Sequence, residues 1–124
     1  MLKKLYIIFF ILISFDLLAV EKKTNFTLEK FTEANKSGKT IVINSWNKYC
    51  GTCAKQVKIL KEAEKDFPNA LFLYYEQNKN EEIAKLLNVK YWATIIIYKN
   101  SKEVAKEIGV TSKNDIYSLI KKEI

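Results

Sequence analysis

With 124 residues, 48% hydrophobic and 28% charged, the chain has room for one domain with a core of ordinary size, and its composition excludes a disordered polymer. The formal net charge of +7 comes from lysine alone, since no arginine is present. The lysines are spread along every segment, which describes a solvated surface and not the Arg-rich patch of a nucleic-acid site.

Lys3 and Lys4 precede an apolar run from Leu5 to Phe15 broken only by Ser14, and Leu17-Leu18-Ala19-Val20 follows Asp16. A positive start followed by an apolar stretch of this length has the pattern of a secretory signal, and the run is short for a membrane span. Residues 1–20 therefore read, ahead of a plain core helix, as a signal peptide with Ala19 suited to the last position of an imperfect cleavage site or as an uncleaved N-terminal anchor. Both place the domain outside the cytoplasm, periplasmic or extracytoplasmic, with a tether to the inner membrane through residues 5–20 in the second case. No cysteine follows the run, so a lipoprotein anchor is excluded.

From residue 21 onward the elements alternate. Thr27 caps a helix from Leu28 to about Ser37, with Phe31 and Ala34 inward and Gly38 as terminator. Thr40 to Trp46 (TIVINSW) is a buried strand rich in β-branched residues. From Cys50 to about Phe67, Cys53, Val57, Leu60, Ala63, Glu64 and Phe67 recur at helical spacing, and Pro68 stops the run. Ala70 to Tyr75 forms a second strand, with Tyr74 and Tyr75 as core and rim. Asn80 opens a short helix carrying Ile83, Ala84, Leu86 and Leu87. Thr94 to Tyr98 (TIIIY) is a third strand, Asn100-Ser101 turns into Glu103 to Ile108, and Ser112 caps a last helix with Ile116, Leu119 and Ile120 inward. Strands separated by helices imply parallel crossovers, and the short turn implies one antiparallel hairpin. The expected class is α/β: a central mixed sheet with helices on both faces.

Cys50-Gly51-Thr52-Cys53 holds both cysteines of the chain, where a strand runs into a helix. A cysteine at a helix N-terminus faces unpaired backbone N–H groups and the positive end of the helix dipole, which favour thiolate over thiol. Two intervening residues let the second sulfur reach the first within one turn, so the pair suits a dithiol–disulfide cycle. Two other uses compete. A static disulfide closing so small a loop is a poor staple. A metal would need further ligands in a chain without histidine, such as a second copy of the motif in a dimer. Lys48 and Lys55 flank the motif and carry charge that favours a thiolate, or are simply solvated.

Trp46-Asn47-Lys48-Tyr49-Cys50-Gly51-Thr52-Cys53 resembles the W-x-x-[WY]-C-G-x-C signature of the thioredoxin superfamily. Val89-Lys90-Tyr91-Trp92-Ala93-Thr94, the apolar strand after it, the Lys99-Asn100 turn and Gly109 resemble that family's second half, so the likeness spans about residues 24–124. The resemblance implies a thioredoxin-like domain over residues 21–124 acting as a thiol–disulfide oxidoreductase on protein cysteines. It also implies a redox partner that resets the site, a monomeric state, and no bound cofactor, metal or nucleic acid. A module of the same fold that only docks a partner is the alternative reading. The resemblance makes Cys50 the nucleophile and Cys53 the resolving thiol of one redox-active disulfide. Trp46, Lys48, Tyr49, Gly51 and Thr52 would shape the surface beside the sulfurs, and Trp92, Ala93 and Thr94 would form the facing loop whose backbone pairs with substrate. The Gly51-Thr52 dipeptide lacks the histidine of strongly oxidising members, which points toward reductase or isomerase work.

The chain departs from the family pattern at three positions. Ala93 stands where a cis-proline is usual. A cis bond before a non-proline residue costs about 2.5–4 kcal/mol, so a trans Trp92–Ala93 peptide is expected. Asn44 replaces a buried aspartate and cannot act as a base, which leaves proton transfer to water. Lys58 replaces a helix-kinking proline.

Overall fold

The computed structural model describes residues 23–124; the segment 1–20, with the signal or anchor expected there, lies outside the described residues. The elements are α1 (Leu28–Lys36), β1 (Ile41–Trp46), α2 (Gly51–Asp66), β2 (Leu71–Glu76), α3 (Glu81–Leu86), β3 (Thr94–Lys99), β4 (Lys102–Ile108) and α4 (Lys113–Lys121). The caps are those the sequence indicates: Thr27 accepts from the Lys30 N–H and Ser112 from the Asp115 N–H. Asn100 and Ser101 both take positive φ (51° and 64°), the primed-turn geometry that matches the twist of a β3–β4 hairpin.

One four-stranded sheet runs in the order β2-β1-β3-β4. β1 and β2 are parallel, whereas β3 lies antiparallel to both β1 and β4. The expectation of parallel crossovers throughout is therefore corrected at β3. A six-residue α3 rises only about 9 Å, and a six-residue strand is about 20 Å long. The chain leaving β2 is not carried back to the far edge, so β3 starts at the end where β1 finishes, with Thr94 opposite Ser45.

The strand alternation divides the core into two layers. Val42, Ile95 and Ile97 pack with Val57, Leu60 and Ala63 of α2 and with Ile116 and Ile120 of α4. Ile41, Ile43 and Ile96 pack with Phe31 and Ala34 of α1 and with Ala84 and Leu87 near α3. Each buried Leu or Ile removes its side chain from water for about 1.5–3 kcal/mol, which makes β1 and β3, apolar on both faces, the rigid frame behind the loops at their shared end.

Candidate active site

The site grows from the last residue of β1. The Trp46 carbonyl accepts the Gln77 N–H at 2.8 Å, which closes the strand. Asn47 then makes a side-chain turn, its Oδ1 accepting the Tyr49 N–H at 3.0 Å while its carbonyl accepts the Cys50 N–H at 3.2 Å. Cys50 becomes the N-cap of α2 in extended conformation, and its Sγ accepts the Cys53 N–H at 3.0 Å. A sulfur thus takes the place of a capping oxygen. Cys50 and Cys53 are joined as a disulfide, with Cα atoms 5.2 Å apart. Cys53 is wholly buried and Cys50 is partly exposed, so of the two residues only Cys50 reaches the surface.

The residues expected around the pair fall into two groups. Trp46 and Ala93 are buried in the cluster that holds Cys53, with Cys50 packed against it, and Thr94 is buried beside them at the start of β3. Lys48, Tyr49, Gly51 and Thr52 lie on the surface, with Tyr49 87% exposed and the Lys48 Nζ 5.6 Å from its ring centroid. Trp92 is 45% exposed, and Tyr91 beside it is 62% exposed. Tyr91 and Trp92 are thus bulky aromatics on the loop that enters β3 at the end where β1 delivers Tyr49. Among the described residues no group of three or more His, Cys, Asp or Glu gathers as a metal site.

The Trp92–Ala93 peptide is cis, not trans as expected. The expectation rested on the intrinsic preference of an unsupported peptide, but here hydrogen bonds hold the loop on both sides. Ser45 Oγ donates to the Tyr91 carbonyl at 3.1 Å and accepts the Thr94 N–H at 3.2 Å, and the Thr94 hydroxyl donates to the same Tyr91 carbonyl. The Ala93 carbonyl accepts the Gly109 N–H at 2.8 Å.

Behind the disulfide lies a buried polar cluster that the apolar pattern concealed. Asn44 Nδ2 donates to Gln56 Oε1 at 2.9 Å and to the Thr94 carbonyl at 3.3 Å, and Asn44 Oδ1 is buried without a hydrogen-bond partner. Gln56 Nε2 donates to the carbonyls of Ala93 (3.2 Å) and Val110 (2.8 Å). Its signal in the sequence is its place three residues after Cys53, which puts it on the inward stripe of α2.

The thioredoxin family model matches residues 20–122. An H-type thioredoxin of Oryza sativa subsp. indica is 29% identical over 107 residues, 86% of this chain and 86% of the relative. The crystal structure of Fasciola hepatica thioredoxin superposes with a TM-score of 0.70 at 27% identity, covering 78% of this chain and 91% of that one. Trxlp from Edwardsiella tarda shares the fold at a TM-score of 0.72 and 21% identity, over 76% of this chain and 93% of its own. A family match over nearly the whole described domain, together with a close cysteine pair at the start of α2, leads to one conclusion: the chain belongs to the thioredoxin family and is a thiol–disulfide oxidoreductase.

Proposed function

We propose that the protein exchanges disulfides with other proteins outside the cytoplasm, with Cys50 as the attacking sulfur and Cys53 as the resolving one. The unequal exposure of the two cysteines carries the assignment: a macromolecular disulfide has access to Cys50, whereas Cys53 is wholly buried. In the reduced protein the Cys50 thiolate attacks one sulfur of the substrate disulfide, and the first substrate thiolate leaves. Cys53 then loses its proton to water, and its thiolate attacks Cys50 Sγ and expels the second substrate thiolate. The substrate gains two electrons, and the protein is left as the Cys50–Cys53 disulfide until an external dithiol reduces it.

Tyr49, Tyr91 and Trp92 supply exposed apolar surface for an unfolded or extended substrate segment. Export rests on the Lys3-Lys4 start and the apolar run from Leu5 to Phe15.

Two experiments test this reading. Wild type should accelerate insulin reduction by dithiothreitol while Cys50→Ser does not; equal rates would leave a module that only docks partners. Cys53→Ser, expressed at full length, should accumulate mixed disulfides with extracytoplasmic proteins, and their recovery only from the cytosolic fraction would defeat export.

A further inference from the structure

Gln56 is wholly buried, carries no charge, and joins four separate parts of the fold through one side chain. It sits on α2 one turn beyond Cys53. Its Nε2 bonds the Ala93 carbonyl of the facing loop and the Val110 carbonyl of the segment after β4, while its Oε1 accepts from Asn44 on β1. The Ala93 carbonyl also takes the Gly109 N–H, so the two loops are knotted at one oxygen. The orientation is forced. An amide offers two donors on nitrogen and none on oxygen, and a flipped Gln56 would aim its oxygen at two carbonyls. Apolar residues would fill this space equally well, since the neighbouring inward positions of α2 are Val57 and Leu60. The Gln56 hydrogen bonds offset the desolvation of the buried amide and add directional control.

We infer that Gln56 is a positioning residue for protein substrates: it sets the height of the Ala93 backbone relative to the helix that carries the disulfide, and so the fit of a substrate segment laid between Cys50 and the Trp92–Ala93 edge. Gln56 touches no reacting atom through these bonds. Its effect falls on substrates that need both walls of the groove and leaves a small disulfide that meets only Cys50 untouched.

The test compares two substrates. In Gln56→Met, which keeps the volume and removes the donors, KM for insulin should rise about tenfold with kcat little changed, because small misplacements of a positioning wall are costly. The rate of the reduced variant with 5,5′-dithiobis(2-nitrobenzoate) should stay within about twofold of wild type on the same reasoning. An unchanged KM for insulin overturns the inference, as does an equal loss for both substrates, which would place Gln56 in the chemistry or in general stability. Since Gln56→Met takes the nearer of two acceptors from the Asn44 amide, the double variant Asn44→Val/Gln56→Met guards against a folding failure; removing both partners of a buried pair is far milder than removing one. It should show the same KM shift, and Asn44→Val alone, which keeps both carbonyl bonds of Gln56, should show less.

Discussion

Asn44 Nδ2 lies 2.9 Å from Gln56 Oε1, and that contact settles which way both amides face. The two donors of Gln56 are spent on backbone carbonyls, so only its oxygen is left for Asn44. Asn44 must then present nitrogen, which also reaches the Thr94 carbonyl. A carboxylate has no such donor.

Asn44→Asp, the residue usual in the family, should therefore destabilise this protein. The new carboxyl would be buried facing Gln56 Oε1 and the Thr94 carbonyl, so its folded pKa lies above the unfolded value of about 3.9. A raised pKa means the variant is closest to wild type below that unfolded value and loses stability as pH rises through the folded one. We expect a loss of about 3 kcal/mol at pH 7, shrinking toward pH 4, by urea unfolding at both pH values. Equal stability at pH 7 would show that Gln56 turns over to meet the charge.

Capping and chemistry are separable at Cys50. Its Sγ accepts the Cys53 N–H, one of the orphan donors at the start of α2. Serine retains a capping acceptor and alanine does not, so Cys50→Ala should be about 1 kcal/mol less stable than Cys50→Ser. Both should be inactive in insulin reduction. If the two melt alike, with Cys53 reduced in each, the sulfur contributes nothing as a cap.

Much of this architecture is legible in the chain because single residues carry it. Thr27 and Ser112 are caps in both readings, Cys50 opens α2, and the runs TIVINSW, LFLYY and TIIIY are strands. What escaped depends on contacts distant in sequence. The direction of β3 follows from the shortness of α3, which alternation alone does not reveal. The loop that carries the cis Trp92–Ala93 peptide is held by Ser45, 46 residues before Tyr91. Gln56 interrupts the apolar stripe of α2 and is wholly buried, whereas Glu64 on the same stripe is half-buried and explained by the Tyr74 hydroxyl. Polar residues on buried faces become readable only when their partners are known.

Asn25 is a further residue of that kind. Its Oδ1 accepts the Tyr74 N–H at 2.6 Å and its Nδ2 donates to the Phe72 carbonyl at 3.2 Å, so one side chain supplies the acceptor and donor that a neighbouring strand would give to the edge of β2. Asn25→Ala should cost about 1–3 kcal/mol, the penalty for leaving partly buried backbone groups unpaired. Asn25→Asp, which keeps the acceptor alone, should fall between. Amide exchange at Tyr74 is the direct check: unchanged protection in Asn25→Ala would mean that the Tyr74 N–H finds another acceptor.

Tyr74 contributes to the alkaline limit expected of the fold. Its hydroxyl donates to Glu64 Oε1 at 2.8 Å, and burial first, then the Glu64 charge and that hydrogen bond, raise its pKa well above 10. Burial raises Tyr75 in the same direction. The native state thus holds protons that the unfolded chain releases near pH 10. Stability from these tyrosines is complete below that pH and declines above it, by about 1.4 kcal/mol per pH unit for each tyrosine still protonated when folded. Urea midpoints should be flat between pH 7 and 9 with respect to these groups and drop steeply toward pH 11. Tyr74→Phe removes one such group while Tyr75, Tyr98 and Tyr117, raised in the same direction, remain, so its decline should be shallower, although it starts lower at pH 8 through loss of the Glu64 bond. The difference in tyrosinate absorbance near 295 nm between wild type and Tyr74→Phe, which isolates Tyr74 from the exposed Tyr49 and Tyr91, should appear only as the chain unfolds. Its appearance in the folded protein at pH 10, or an identical alkaline slope for Tyr74→Phe, would show that the Glu64–Tyr74 pair does not contribute to this limit.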